Sequence, residues 1–198
     1  VSFIATVPES DATGEVAEIY DRTVEVMGHL PNYTKAFSQR PGVYKTWSRL
    51  IGSIRSNMDP RRYELATMGA ALALRSTYCS LAHAEKLLEL GSPDEELRSM
   101  AEQGTLDRLG EEERAIVEFA AKVARSAVSV TEADIGRLRS LGLDDAEIFD
   151  VVATAAARCF FSKVLDATGT LADARFAEEL GGLAETLTVG RPIAVHSA

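Results

Sequence analysis

Residues 61–91 read RRYELATMGAALALRSTYCSLAHAEKLLELG, and the fold and most of the chemistry turn on how this stretch is read. It is apolar, Ala-rich and free of Pro, yet it sets Glu64, Ser76, Tyr78, Cys79 and His83 in one helical segment. A helix advances about 100° per residue, so in one continuous helix Cys79, His83 and Ser76 would lie about 60°, 100° and 120° round from Glu64, all on one face. A break at Arg75 to Thr77 instead makes Ser76 an N-cap and puts Cys79 at N3 of a second helix. The break is the expected arrangement, because the free N–H groups and dipole of a helix N-terminus favour the thiolate, which is the nucleophilic form.

Either geometry leaves Cys79 and His83 at i and i+4, one turn apart. A thiol, an imidazole one turn on and a carboxylate on the preceding helix form a candidate proton relay: His83 takes the thiol proton, and Glu64 orients or recharges His83. The same residues also have a plain structural reading. Cysteine is among the most buried residue types and often simply packs, and a lone histidine on an apolar helix is commonly a satisfied core group. No metal is expected, since Cys79 and His83 supply half a zinc shell and no second Cys/His pair follows.

The segment resembles the redox motif of the AhpD-like alkylhydroperoxidase and carboxymuconolactone decarboxylase superfamily: a Glu, then a Cys-x-x-Cys pair, then a His one helical turn after the second Cys. Glu64 matches the Glu, Cys79 the second Cys and His83 the His, while Ser76 stands at the first Cys position and removes the partner that would close a disulfide. Ser-Thr-Tyr-Cys-Ser-Leu-Ala-His, with Tyr78 where some members carry another His, is similar to the peroxidase-related subgroup. The resemblance extends to GEVAEIYDRTVEVMGHLPN, LGEEERAIVEFAAKVARSAVSVTEADI and LDDAEIFDVVATAAARCFFSKVLDATG. It implies an AhpD-like helical bundle of two related repeats and a homo-oligomer, as dimer, trimer or hexamer. It also implies catalysis by Cys79, His83 and Glu64, supported by Ser76 and Tyr78.

Composition fits an ordinary enzyme domain. The chain has 198 residues, 46% hydrophobic and 26% charged, enough for one sizeable core, and one domain is read over 1–198. No run approaches the ~20 apolar residues of a membrane span and no leader opens the chain, so a cytoplasmic protein is expected. A net charge of −9 argues against binding nucleic acid or an anionic membrane. With only Cys79 and Cys159, any bridge would be a redox event.

In chain order, residues 1–10 read as an extended arm lying on the surface or on a neighbouring subunit. A helix follows from Ala12 to Met27, stopped by Gly28, with an apolar stripe at Val16, Ile19, Tyr20 and Met27. His29 reads as a surface or capping residue, and Tyr33 to Ser38 as a short helix. Pro41 starts a helix to Ser56 that sets Val43, Trp47, Leu50, Ile51 and Ile54 on one side. Tyr44 and Trp47 could wall a pocket, although aromatics at helical spacing are more often core. Residues 57–91 hold the redox-motif helices, opened by Asp59 and Pro60.

Ser92 is expected to cap a short helix, with Pro93 at N1 and Glu95 completing a capping box. The cleanest amphipathic helix runs Gly110 to Ala127, its Glu111, Glu112 and Glu113 reading as a solvated start. Thr131 caps the next. Residues 142–168 echo 57–83 as a weak internal repeat, with Asp150 roughly where Glu64 falls. That repeat carries Cys159, a possible resolving thiol or a buried apolar one, and Arg158, which on so apolar a helix calls for a carboxylate or a subunit contact. A last helix is read over Leu171 to Leu180, then a tail, 182–198, containing His196. The helical periods throughout make the fold class all-α.

Three functions follow. The first is a thiol-dependent peroxidase reducing hydrogen peroxide or organic hydroperoxides through Cys79, with no cofactor and a thiol reductant that is a small molecule or a protein. The second is a carboxymuconolactone decarboxylase-like enzyme acting on a small lactone acid, in which Glu64 and His83 move protons while Cys79 packs. The third is a non-catalytic oligomeric scaffold or redox sensor.

Overall fold

Asp59 and Pro60 start the helix around which the others are arranged. The Asp59 carboxylate accepts a hydrogen bond from Arg62 N at 3.0 Å and Pro60 takes N1, so helix α4 runs Pro60–Ala73. The computed structural model describes residues 2–103 and 105–195, so Val1 and the tail call on His196 lie outside the described residues. Before α4 come α1 (Gly14–Met27), α2 (Asn32–Ala36) and α3 (Pro41–Arg55). After it come α5 (Thr77–Glu89), α6 (Asp94–Arg98), α7 (Glu111–Ser126), α8 (Glu132–Ser140), α9 (Asp145–Thr168), α10 (Arg175–Glu179) and α11 (Gly182–Leu187). The class is all-α: among the described residues no strand forms, and Ala172 meets Ile193 in an isolated bridge.

Helix α4 is apolar all round because it is buried all round. Leu65, Met68 and Ala71 pack into one cluster with α5 and the C-terminal helices, while Ala66 and Ala70 pack into another with α7, α8 and α9. On the α7 side a Cβ at Gly69 would meet Val117 O at 2.5 Å, so only glycine allows this approach. At its start Arg61 pairs with Glu113 (2.6 Å) and Glu96 (3.0 Å), and Arg62 with Glu112 (2.6 Å) and Glu147 (2.5 Å). The acidic run of α7 is therefore no merely solvated start: two of its three carboxylates tie α7 to α4.

The expected break is present. α4 ends at Ala73, Arg75 takes φ +55°, and α5 begins at Thr77, which puts Cys79 at N3. The C-terminal segment closes over this corner: Arg75 Nε donates to Val189 O (3.0 Å) and Gly190 N to Thr77 Oγ1 (2.8 Å). Helix α9 opens, like α4, on a capping aspartate, Asp144, whose carboxylate accepts from Glu147 N at 2.8 Å. Unlike α4 it runs unbroken for 24 residues.

Several expectations fail locally, each to a tertiary contact. Ser92 does not cap α6, whose N-cap is Pro93; its hydroxyl accepts from Arg61 Nη1 instead (2.5 Å). Leu171 to Ala174 is not helical, since Asn32 holds this segment through Leu171 O and the Asp173 carboxylate, and α10 starts only at Arg175. The tail contains a helix, α11, because Leu183 and Leu187 find a buried site. On α3, Val43 and Leu50 face outward, leaving Trp47, Ile51 and Ile54 turned to the protein. The N-terminal arm lies on its own chain, with Phe3 N donating to Thr168 O (2.7 Å) and Val7 N to Ser38 Oγ (3.0 Å).

Candidate active site

Helices α4 and α5, splayed by the break, present Glu64 and His83 to each other. His83 Nδ1 lies 2.5 Å from Glu64 Oε2, and Glu64 is only 2% exposed. For Glu64, burial pushes the carboxyl up, but His83, Arg55 and Arg158 together hold it below its usual range. For His83, burial and the Arg158 charge push the imidazole down, and Glu64 opposes them without overcoming them. The pair is therefore a carboxylate and a neutral imidazole near pH 7. Nδ1 then carries the proton and donates to Glu64, which leaves Nε2 its lone pair to act as a base.

One turn before His83, Cys79 is 1% exposed. Its Sγ accepts two hydrogen bonds from α9, from Ser162 Oγ at 3.2 Å and Arg158 Nη1 at 3.5 Å. Arg158 is 3% exposed, packs 5.5 Å from the Phe161 ring centre, and makes no ion pair among the described residues. Burial works against its charge, and Cys79, Tyr63 and Glu64 more than offset that. A sulfur that receives one hydrogen bond from a guanidinium and another from a hydroxyl, at the N-terminal turn of a helix, is placed to carry negative charge.

Glu64, Cys79, His83 and Arg158 all line a cavity of about 210 Å³. Its walls are aromatic: Trp47 stacks on Phe161 at 4.1 Å, with Tyr33, Tyr78 and Phe176 around them. Tyr44 stands behind Trp47 and outside the lining. Tyr78 donates its hydroxyl to Asp173 and accepts from Tyr33 N (3.2 Å), and burial with the Asp173 charge pushes its phenol well up, so it stays protonated. Exposed Met27 and Arg55 stand at the rim with His29, whose Nδ1 meets Met27 O at 3.0 Å. Arg55 lies over the Tyr63 ring at 5.7 Å.

The structure thus brings together Glu64, Cys79, His83 and Tyr78, but neither Ser76 nor Cys159 joins them. Ser76 precedes α5 without a side-chain cap, and the hydroxyl at the sulfur is that of Ser162. Cys159 turns its Sγ to Ala124 O on α7, at 3.8 Å, and burial pushes its thiol up. Asp150 lies outside the cavity. Sequence reasoning missed Ser162 altogether and flagged Arg158 without a partner; the signal was the i, i+4 pair of polar residues on the buried face of an apolar helix. Among the described residues no three His, Cys, Asp or Glu side chains form a metal-binding group.

Residues 41–122 match the carboxymuconolactone decarboxylase family profile. Among curated proteins none matches. The fold is that of the AhpD core of an uncharacterized peroxidase-related protein from Ralstonia eutropha JMP134, with 19% identity, TM-score 0.79, and coverage of 89% of this chain and 94% of that one. A peroxidase-related protein from Silicibacter sp. TM1040 is similar at 20% identity and TM-score 0.73, covering 88% and 90%. So is the debrominase Bmp8, a cysteine-to-alanine variant in complex with 2,3,4-tribromopyrrole, at 16% identity and TM-score 0.73, covering 91% and 96%. A carboxymuconolactone decarboxylase family domain is thus matched over residues 41–122, and the AhpD-like all-α fold extends over most of the chain.

Proposed function

We propose that the protein is a thiol-dependent peroxidase acting on organic hydroperoxides through Cys79. The observation that carries this reading is the Cys79 sulfur, held by two donors from α9 at the inner end of an aromatic cavity, one turn from an imidazole already paired to a carboxylate. His83 Nε2 takes the thiol proton. The sulfur lone pair then attacks the terminal oxygen of R–O–OH, the O–O bond breaks, and the leaving alkoxide receives that proton from His83. Sulfur is oxidised and the peroxide reduced by two electrons: Cys79–SH + ROOH gives Cys79–SOH + ROH. Arg158 and Ser162 hold the sulfur's charge before attack, and Glu64 holds that of the imidazolium.

Hydrogen peroxide would leave most of a 210 Å³ cavity unfilled, at ~30 Å³ per water-sized molecule, so the walls favour a substrate with an apolar group. We also assign to this reading a homo-oligomer formed through the outward face of α3 and α9, where Val43, Leu50 and Phe160 line an apolar groove. Among the described residues no helix is long and apolar enough to cross a membrane.

The test is the rate at which a dimedone-type probe traps Cys79 after a pulse of tert-butyl hydroperoxide, in wild type, His83→Ala and Glu64→Gln. Trapping that slows by ~10²-fold or more in His83→Ala supports the relay. A Cys79 no faster than a free thiol, with variants indistinguishable, ends the reading.

A second reading is favoured by one observation: Arg55 and Arg158 both face the cavity without an ion pair among the described residues, as a site for a small lactone acid would require. Under it Cys79→Ser keeps turnover and His83→Ala loses it. Dehalogenation of a small aromatic, in which the same sulfur takes the halogen as the C–X bond breaks, the ring carbon takes a proton, and two external thiols release halide and restore Cys79 as they become a disulfide, would instead lose turnover in both variants.

A further inference from the structure

We propose that the reductant of oxidised Cys79 is a low-molecular-weight monothiol that enters the cavity, rather than a protein dithiol or Cys159. The inference rests on the peroxidase reading and names its second substrate. Three observations carry it, and each removes one alternative.

The position one turn before Cys79, where an internal partner thiol would sit, is Ser76. The chain's other thiol, Cys159, lies on α9 beside Arg158, but it points to Ala124 O while Arg158 and Ser162, on another side of that helix, point to the Cys79 sulfur. A disulfide needs Cβ atoms about 3.5–4.5 Å apart with converging bonds, which this divergence denies. The third alternative, an external protein cysteine, must bring its own backbone to Cα separations of about 4.4–6.8 Å from Cys79. Cys79 is 1% exposed, and its neighbours Tyr78 and Ser80 are 4% and 0% exposed, so no foreign main chain reaches that distance. The opening that remains is the cavity of about 210 Å³, room for roughly seven water-sized units at ~30 Å³ each. It admits the thiol-bearing arm of a small molecule.

The chemistry closes with two such thiols. In the first step Cys79–SOH + RSH gives Cys79–S–S–R + H2O: the S–O bond breaks, the S–S bond forms, and the thiol proton leaves in water. In the second, Cys79–S–S–R + RSH gives Cys79–SH + RSSR, the monothiol being oxidised and Cys79 reduced.

The experiment uses the full-length protein and Cys159→Ser. Each is oxidised with one equivalent of tert-butyl hydroperoxide, and the sulfenic acid is confirmed in a separate aliquot by the dimedone-type probe, which blocks the sulfur irreversibly. Each is then supplied with glutathione, or with thioredoxin, its reductase and NADPH. The expected results are an intact-mass adduct of glutathione on Cys79, turnover that rises with glutathione equally, within about twofold, in both proteins, and no turnover above background with thioredoxin. Turnover sustained by thioredoxin alone, or lost tenfold or more in Cys159→Ser, overturns the proposal. A sulfenic acid that forms but is left untouched by glutathione overturns it while sparing the peroxidase reading. Failure to form the sulfenic acid at all overturns both.

Discussion

Glu64 and His83 set each other's charge, and with it the acid side of any rate that passes through them. Burial and Arg158 keep the imidazole below its ordinary 6.5, so it is already neutral at pH 7. Peroxide oxidation of Cys79 should therefore lose rate only below about pH 6.5, where His83 begins to hold a proton. Glu64 is the group that pulls His83 up, so Glu64→Gln moves this acid limb to lower pH while reducing the plateau. Arg158 pulls it down, so Arg158→Gln moves the limb to higher pH. Opposite displacements in stopped-flow trapping between about pH 5 and 8 are the expected signature, and displacement in the same direction would refute the assignment. Stability follows the same groups. Both are lowered in the fold, the unfolded chain binds more protons, and stability declines as pH falls below 6.5 for His83 and then below 4.5 for Glu64.

At the scale of an element, α4 shows how much of the fold is written locally. Its cap, its N1 proline, its all-round apolar surface and the break after it follow from side chains within a few residues. What sequence could not show is the partner at each surface, and Gly69 is the sharpest case. Gly69→Ala should cost about 1–3 kcal/mol through overpacking against Val117, whereas Gly136→Ala, on exposed α8 with no atom within 4 Å, should gain about 1 kcal/mol. Thermal unfolding of the two variants, moving in opposite directions, is the check. The Ser92 cap and the helix start read at Leu171 failed for a similar reason: Arg61 claims the Ser92 hydroxyl, and Tyr78 and Asn32 claim the Asp173 carboxylate, from residues far along the chain.

At the scale of the whole molecule, half of the candidate site was readable and half was not. Glu64, Cys79 and His83 share one short stretch whose spacing is helical. Arg158 and Ser162 reach the sulfur only because α9 crosses behind α5, and no periodicity reports such a crossing. The outward face of α3 and α9 adds a prediction at this scale. Leu50→Glu and Phe160→Glu, placed on 51% and 41% exposed positions, should leave the fold intact and convert an oligomer to monomer in sedimentation velocity. A wild-type protein that sediments as a monomer would refute this interface. Trp47 lines both that groove and the cavity, so loss of the oligomer should also alter the peroxide rate.

The two donors at the Cys79 sulfur lie 79 and 83 residues downstream of it. A ribosome adding roughly 5–20 residues each second delivers the cysteine several seconds before either donor. Throughout that interval the nascent chain carries a thiol with no guanidinium, no hydroxyl and no closed cavity around it. The polar setting of the Cys79 sulfur is thus a product of finished folding, and under the peroxidase reading an oxidant that meets the growing chain meets a thiol without it.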